Sequence, residues 1–301
     1  MNLFHENKPF WKGNLHCHTT LSDGLLSPSE VKAFYRQKGY DFLAITDHRI
    51  LSEPAHIEEG LLLLSGLEMD FMLPGEALHI VGIGMSSKLD RYDLSASPQF
   101  CINRMRHCGG RAIVAHPAWS LNTVATLSAL TDVTAAEIYN SVSTCPWNGD
   151  RADSSGVLDV CATHGTLFNL VASDDSHFYN GEAGHSATMI QADELTQQGL
   201  LSAMDEGRFY GTQGPAFEQI TVEKGLLTVT CSPVDTIVFY SNLVWSAERC
   251  QTGKALTHAS YPLQTSRGET FVRVQLIGLT PFCLNRPRNA QKASLKGWCL
   301  P

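Results

Sequence analysis

"GNLHCHTTLSDG" (residues 13–24) places two histidines one residue apart and an aspartate five positions after the second. On an extended strand, His16 and His18 share one face and Cys17 turns to the other. The stretch is therefore either a strand that happens to carry histidine or one wall of a metal site. In a chain with 12 His among 301 residues, chance alone supplies roughly half of one His-x-His pattern, so the surrounding chain has to decide.

Outward from that stretch, short apolar runs alternate with helix-like segments as far as about residue 210. The runs are 14–16, 42–46, 62–67, 78–83, 112–115, 136–139 and 169–172. Between them, "SPSEVKAFYRQKG" opens with Ser27 and Glu30 at capping-box spacing, carries Pro28 in its first turn and closes at Gly39. Segments 98–110, 154–165 and 194–207 also read as helices ending in glycine. Near-continuous apolar strands separated by helices predict an α/β fold with a parallel sheet, and seven such strands suit a closed β/α barrel better than an open sheet. After "GRFYGTQGP" (207–215) the pattern changes to alternating strands joined by turn residues such as Lys224-Gly225 and Arg267-Gly268. The expected organisation is a barrel over residues 1–214 and a smaller β-rich domain over 215–301, whose final 20 residues show no pattern.

Composition narrows the function classes. Hydrophobic content of 43% with 17% charged residues is that of an ordinary globular protein. A net charge of −8 without a block of like charge argues against nucleic acid held by general electrostatics, while leaving room for a small phosphorylated substrate. "GLLLLSGL", the densest apolar run, is far too short to span a bilayer. The opening "MNLFHENKPFWKG" lacks the apolar core of a signal peptide, which predicts a cytoplasmic protein without a membrane partner. The nine cysteines are scattered, odd in number and form no Cys-x-x-Cys pair. They read as free, mostly buried thiols.

The polar residues at the strand ends are the informative ones. His16 and His18 follow the first run, Asp47 and His48 the second, and Glu68 the third. His79 opens the fourth, His116 follows the fifth, Glu137 lies near the end of the sixth, and Asp175 and His177 follow the seventh. In a closed parallel barrel the C-terminal strand ends converge on one face, where such barrels build their chemistry. Each residue alone has an ordinary explanation. Glu137 can pair with a basic neighbour, Asp47 can orient His48 without binding metal, and His5, His56, His107, His164, His185 and His258 fit helix or loop surface. The series as a whole does not: separate strand ends all carry nitrogen or oxygen ligands.

The series HCHTTLSDG, ITDHR, SGLEMD, LHIVGIG, AHP and SDDSH resembles the motifs of the PHP (polymerase and histidinol phosphatase) superfamily, in the same order, over roughly residues 10–214. The resemblance implies a distorted seven-stranded β/α barrel with a trinuclear metal site. It implies that His16, His18, Glu68 and Asp175 hold one metal and that Glu68 bridges to a second completed by His79 and His116. The third would take Asp23, His48 and His177; some relatives have His where this chain has Asp23. The barrel followed by a β-rich domain is similar to the branch that includes carbaryl-hydrolase-like proteins.

Imidazole and carboxylate ligands without thiolate suit two to three divalent ions, Zn²⁺, Mn²⁺ or Fe²⁺. Such ions make hydroxide available near neutral pH and receive charge on a phosphoryl or carbonyl oxygen. Neither a nucleophile elbow nor a Walker pattern is present, so hydrolysis by a metal-bound hydroxide is the economical mechanism. Asp47, Arg49 and His177 are the candidates for catalytic work, Arg49 being placed to meet a phosphate or, equally well, to sit in a surface salt bridge. The leading expectation is a phosphoesterase for a small substrate. An ester, amide or carbamate hydrolase with the same centre and a non-catalytic binding module are the alternatives.

Overall fold

The computed structural model describes residues 2–5, 8–86, 97–279 and 290–295. In chain order its first half contains β1 (Phe10–Asn14), α1 (Pro28–Gln37), β2 (Phe42–Ala44), β3 (His56–Glu58), β4 (Leu61–Leu64), β5 (Gly66–Leu73), β6 (Glu76–Ile83), α2 (Pro98–His107), β7 (Arg111–Val114), α3 (Val124–Ser128) and β8 (Ala135–Asn140). There follow α4 (Ser155–Thr163), β9 (Asn169–Ser173), β10 (Ala187–Gln191), α5 (Gln197–Asp205) and β11 (Phe209–Thr212). The remaining strands are β12 (Phe217–Glu223), β13 (Leu226–Ser241), β14 (Cys250–Pro262), β15 (Val272–Leu279) and β16 (Ala290–Leu295). No helix among the described residues is long and apolar enough to cross a membrane.

The predicted helices form with the expected caps. The Ser27 hydroxyl accepts from Glu30 N–H while the Glu30 carboxylate accepts from Ser27 N–H, and α1 buries Val31 and Tyr35. The hydroxyls of Ser97 and Thr196 cap α2 and α5 by accepting from the N–H groups of Phe100 and Gly199, without a returning carboxylate. The five-residue α3 has too short a period to show in the sequence.

The strands form two mixed sheets, where the apolar runs predict a parallel one. One sheet runs β12-β13-β15-β16-β11-β10-β1-β2-β4-β3, with β14 on β13, and the other runs β5-β6-β7-β8-β9. Two physical causes separate this from seven parallel strands. Only Pro74 and Gly75 lie between β5 and β6, so the connection is a hairpin and the pair is antiparallel; a parallel crossover needs a dozen residues or more. The run read as one strand over 62–67 also breaks at Ser65: β4 joins the larger sheet beside β2, and β5 opens the smaller one. The two sheets still meet at the ends that matter. Isolated parallel bridges join His48 to Glu68 and Cys17 to Ser176, with Asp175 N–H donating to His16 O at 2.9 Å and Arg49 N–H to Glu68 O at 2.7 Å.

Both faces of the central strands are buried, which is why their runs are apolar without alternation. Along β6, Leu78 and Ile80 pack in a cluster with Met105, Ile102 and Leu158, whereas Val81 and Ile83 pack with Leu15, Ile113, Val171 and Leu200. From β12 onward every pairing is antiparallel, around Phe217, Val229, Ile237, Phe239 and Val274, with Phe4 and Tyr210 in the same cluster. The final 20 residues, patternless as sequence, contribute β16, which pairs with β15 and β11. The thiols of Cys17, Cys101, Cys108, Cys161 and Cys231 are free and buried and those of Cys145 and Cys250 free and exposed, while Cys283 and Cys299 lie outside the described residues.

Gly211 fixes how closely β11 approaches β9. A Cβ there would stand 2.6 Å from Ala172 N and 2.8 Å from Val171 C, both backbone atoms. Gly211→Ala is therefore expected to destabilise the protein by about 1–3 kcal/mol through overpacking, read as a lowered denaturation midpoint. An unchanged midpoint would contradict this contact.

Candidate metal centre

Alternation along the residues that leave β1 aims His16 and His18 the same way, with their Nε2 atoms 3.2 Å apart. Cys17 points away, its buried thiol donating to Ala44 O at 3.4 Å; burial and then the charge of Asp47 push it well above its usual range, so it offers no thiolate. Facing the two rings is Glu68, at the start of β5. Its Oε1 lies 2.9 Å from His79 Nδ1, 3.3 Å from His16 Nε2 and 3.5 Å from His116 Nε2. Its Oε2 lies 3.2 Å from both His18 Nε2 and His48 Nδ1. Asp175 Oδ1 is 3.1 Å from each of His16 Nε2 and His18 Nε2. Asp23, half exposed at the mouth, stands 3.3 Å from His18, 3.4 Å from His177 and 3.6 Å from His48.

The structure thus brings together all nine side chains singled out as ligands. Three groups of them are close enough to share an ion: His16, His18 and Asp175; His16, Glu68 and His116; and His18, Asp23, His48 and His177. His79 reaches the middle group through Glu68. None of His5, His56, His107, His164, His185 and His258 enters a group.

These residues fit divalent ions. Two imidazole nitrogens bound at 2.0–2.1 Å to one tetrahedral ion lie roughly 3.3 Å apart, close to the His16–His18 separation. His48 Nδ1 and Asp175 Oδ1 are buried without any hydrogen-bond partner, although nitrogen and oxygen atoms crowd around both. Atoms that converge without hydrogen-bond alignment are arranged for a cation between them. The charges agree. Burial pulls the His16 and His18 rings down, yet the carboxylates of Asp175, Glu68 and, for His16, Glu137 outweigh it and hold both well above the usual range. Burial raises Glu68 and Asp175, but the surrounding imidazoles more than offset it and hold both carboxyls low.

Behind the ligands stand carboxylates whose roles the sequence did not resolve. Glu137 does pair with a basic neighbour, and that neighbour is His16. Its Oε1 accepts from His16 Nδ1 at 2.9 Å, which leaves Nε2 free to ligate, and its Oε2 accepts from His116 N–H at 2.9 Å and Asn140 Nδ2 at 2.8 Å. Asn140 Nδ2 also reaches Asp175 Oδ2 at 3.2 Å. One carboxylate therefore orients three candidate ligands, among them His116 and Asp175, whose backbones are left-handed at φ 30° and 52°. Asp174, a buried neighbour of Asp175 with no mark in the sequence, accepts from Tyr35 OH, Ser141 Oγ and the N–H groups of Gly184, His185 and Ser186.

Two candidates for catalytic work are held by other side chains. Asp47 does not hold the His48 ring; its carboxylate accepts from Thr19 N–H, Thr19 Oγ1 and Ser22 Oγ at 2.7–2.8 Å and pins the loop that carries Asp23. Gly24 lets that loop close, since a Cβ there would meet the His18 backbone at 2.5 Å. Arg49 takes the salt-bridge alternative: Nε and Nη2 grip the Asp70 carboxylate at 2.8 and 2.9 Å. His177 sits at the mouth, Nδ1 against Asp175 O at 2.7 Å and Nε2 toward Asp23.

Because the surrounding carboxylates raise His16 and His18 well above the usual imidazole range, ion uptake competes with protons and apparent affinity should fall as pH falls. Calorimetric zinc titration at pH 7 in buffers of different ionisation enthalpy should give heats that vary with the buffer, with at least one proton released per chain. Buffer-independent heats would refute the charge pattern. Glu137→Gln should keep the fold and lower metal affinity about 10–100-fold, measured against a competing chelator; unchanged affinity would remove its orienting role.

No family model matches the chain. A "5'-3' exoribonuclease" of Haemophilus influenzae is 39% identical over 77 residues, 24% of this chain and 28% of that protein. The "DNA polymerase/3'-5' exonuclease PolX" of Bacillus subtilis is 34% identical over 83 residues, 21% of this chain and 15% of that protein. The chain thus spans well under a third of each of these curated relatives. Over nearly its whole length it superposes on a two-domain protein of Bacteroides vulgatus containing a predicted PHP-like metal-dependent phosphoesterase, with a TM-score of 0.52, 15% identity, and 97% and 96% of the two chains covered. In its fold the chain is similar to that two-domain protein over nearly its whole length.

Proposed function

We propose that this chain is a metal-dependent hydrolase, and specifically a phosphoesterase for a small phosphorylated substrate. The observation that carries the reading is Glu68: a buried carboxylate whose two oxygens face five imidazoles drawn from four strand ends. His16, His18, Glu68 and Asp175 would hold one ion, Glu68, His79 and His116 a second, and Asp23, His48 and His177 a third. When bound, two or three Zn²⁺, Mn²⁺ or Fe²⁺ ions would supply hydroxide near neutral pH and positive charge for the phosphoryl oxygens. The chain itself positions and moves protons. Glu137 keeps the proton on His16 Nδ1, and Asp175 O keeps one on His177 Nδ1, leaving His177 Nε2 basic at the mouth. Where the third position is unfilled, that nitrogen is the one to take and return a proton beside the substrate.

In this reading the two sheets make a distorted seven-stranded barrel in the order β1-β2-β5-β6-β7-β8-β9, closed by the His48–Glu68 and Cys17–Ser176 bridges at the end that carries the ligands. The boundary falls after residue 214, and 215–301 form an accessory β-rich unit. The engagement of Arg49 by Asp70 keeps an uncharged ester, amide or carbamate substrate as the second reading, since that cation is not free for a phosphate.

Metal-loaded protein assayed on a generic phosphomonoester beside a generic aryl ester separates the two readings; the phosphomonoester should turn over faster, and activity should vanish with chelator. Glu68→Gln should lose at least one ion and on the order of 10²-fold or more in turnover, while Glu53→Gln, exposed after β2, should change neither. Full activity without metal, or in Glu68→Gln, would end this proposal.

A further inference from the structure

Part of the surface around the candidate metal centre is apolar. Of the eleven large hydrophobic side chains exposed among the described residues, four lie in the segments that follow ligand-bearing strands, Leu21 and Leu25 after β1, Leu121 after β7 and Phe178 after β9, and a fifth, Met72, stands at the far end of β5, four residues from Glu68. They flank the site on two sides. Leu25 N–H donates to His177 O at 2.8 Å, and the Phe178 ring lies 6.1 Å from that of His177. On the opposite flank Trp119 stands edge-on to His116 at 4.8 Å and to His79 at 5.9 Å. Met72 continues the face of β5 that presents Glu68 and Asp70, because Met69, Phe71 and Leu73 take the other face into the core. A single exposed Leu is ordinary. Several of them ringing a buried charged centre mark a surface that receives something apolar.

Charge points the same way. Segments 19–26, 49–55, 70–76, 117–123 and 177–182 contain one Lys or Arg between them, Arg49, and Asp70 holds it. A second phosphate or a polyanion attached to the reacting phosphate would meet no free cation on these segments.

Resting on the phosphoesterase reading, we infer that the phosphate is carried by an apolar alcohol, alkyl or aryl, which packs between the Leu25–Phe178 flank and the Trp119–Met72 flank. In the hydrolysis water adds to phosphorus and the bond from phosphorus to the alcohol oxygen breaks. The alcohol departs with one proton of the water, and the other stays on inorganic phosphate.

Straight-chain alkyl phosphates from methyl to hexyl test this, because lengthening the chain adds apolar surface while the acidity of the alcohol hardly changes. With manganese-loaded full-length protein, kcat/KM should climb with each methylene, by up to about fourfold per step where the group is fully buried. The climb should flatten in Leu25→Ser/Phe178→Ser, whose side chains are exposed and carry none of the fold. Hydrolysis of methyl phosphate with a flat or falling series, or a slope untouched by the double variant, overturns the inference and leaves the phosphoesterase reading standing. Failure to hydrolyse any member, phenyl phosphate included, overturns both.

Discussion

A carboxylate buried among imidazoles is the constraint from which the rest of this structure follows. Glu68 and Asp175 are almost wholly out of water, and an ionised carboxyl in that position is costly unless opposite charge surrounds it. In the metal-free chain the opposite charge comes from His16 and His18, held protonated by those same carboxylates. The carboxyls, held low, contribute stability that is lost as pH falls through their folded values, and the imidazoles, held high, contribute stability that is lost as pH rises through theirs. Divalent ions bound there would take the place of the protons and remove the upper limit, which would link metal binding to folding stability at this point of the fold.

That constraint reaches the backbone through the two seams between the sheets. Glu68 is both a candidate ligand and the residue whose backbone bridges to His48, and Cys17, between the two histidines that follow β1, bridges to Ser176 beside Asp175. The left-handed backbones of Arg49, His116 and Asp175 sit at these same strand ends. Such conformations persist only where surrounding bonds determine them, and Glu137, gripping His116 N–H and His16 Nδ1 together, supplies two of those bonds.

How much of this was legible in the sequence depended on whether the signal was local. The ligand series was legible because strand parity puts His16 and His18 on one face and because apolar strands must end in polar groups for a reason. The helices were legible from capping residues such as Ser27 and Glu30. Sheet topology was not, since nothing in the run 62–67 says that the chain changes sheets at Ser65, and the Pro74-Gly75 hairpin was passed over in favour of a regular β/α rhythm. Roles that depend on distant partners were hidden as well. Arg49 is neutralised by Asp70, 21 residues away, and Asp174 differs from Asp175 only in facing Tyr35 and Ser186 instead of the rings.

If the chain is the phosphoesterase proposed above, the charge balance of the site gives the third position a role. Ligation requires neutral imidazoles, so the chain's contribution at the centre is the negative charge of Asp23, Glu68 and Asp175, with Glu137 directly behind them. Two divalent ions would only cancel those four carboxylates; a third would leave two positive charges, one of them offset by the hydroxide, to attract a phosphate dianion. With Arg49 already paired, attraction for the substrate's phosphate has to come from that surplus, in a setting where burial keeps it from being screened. Asp23 is the most exposed of the nine candidate ligands, so the ion it helps to hold is the one most open to exchange with solvent. Occupancy at Asp23, His48 and His177 would then set affinity for the anion, while the buried sites around Glu68 would set the chemistry.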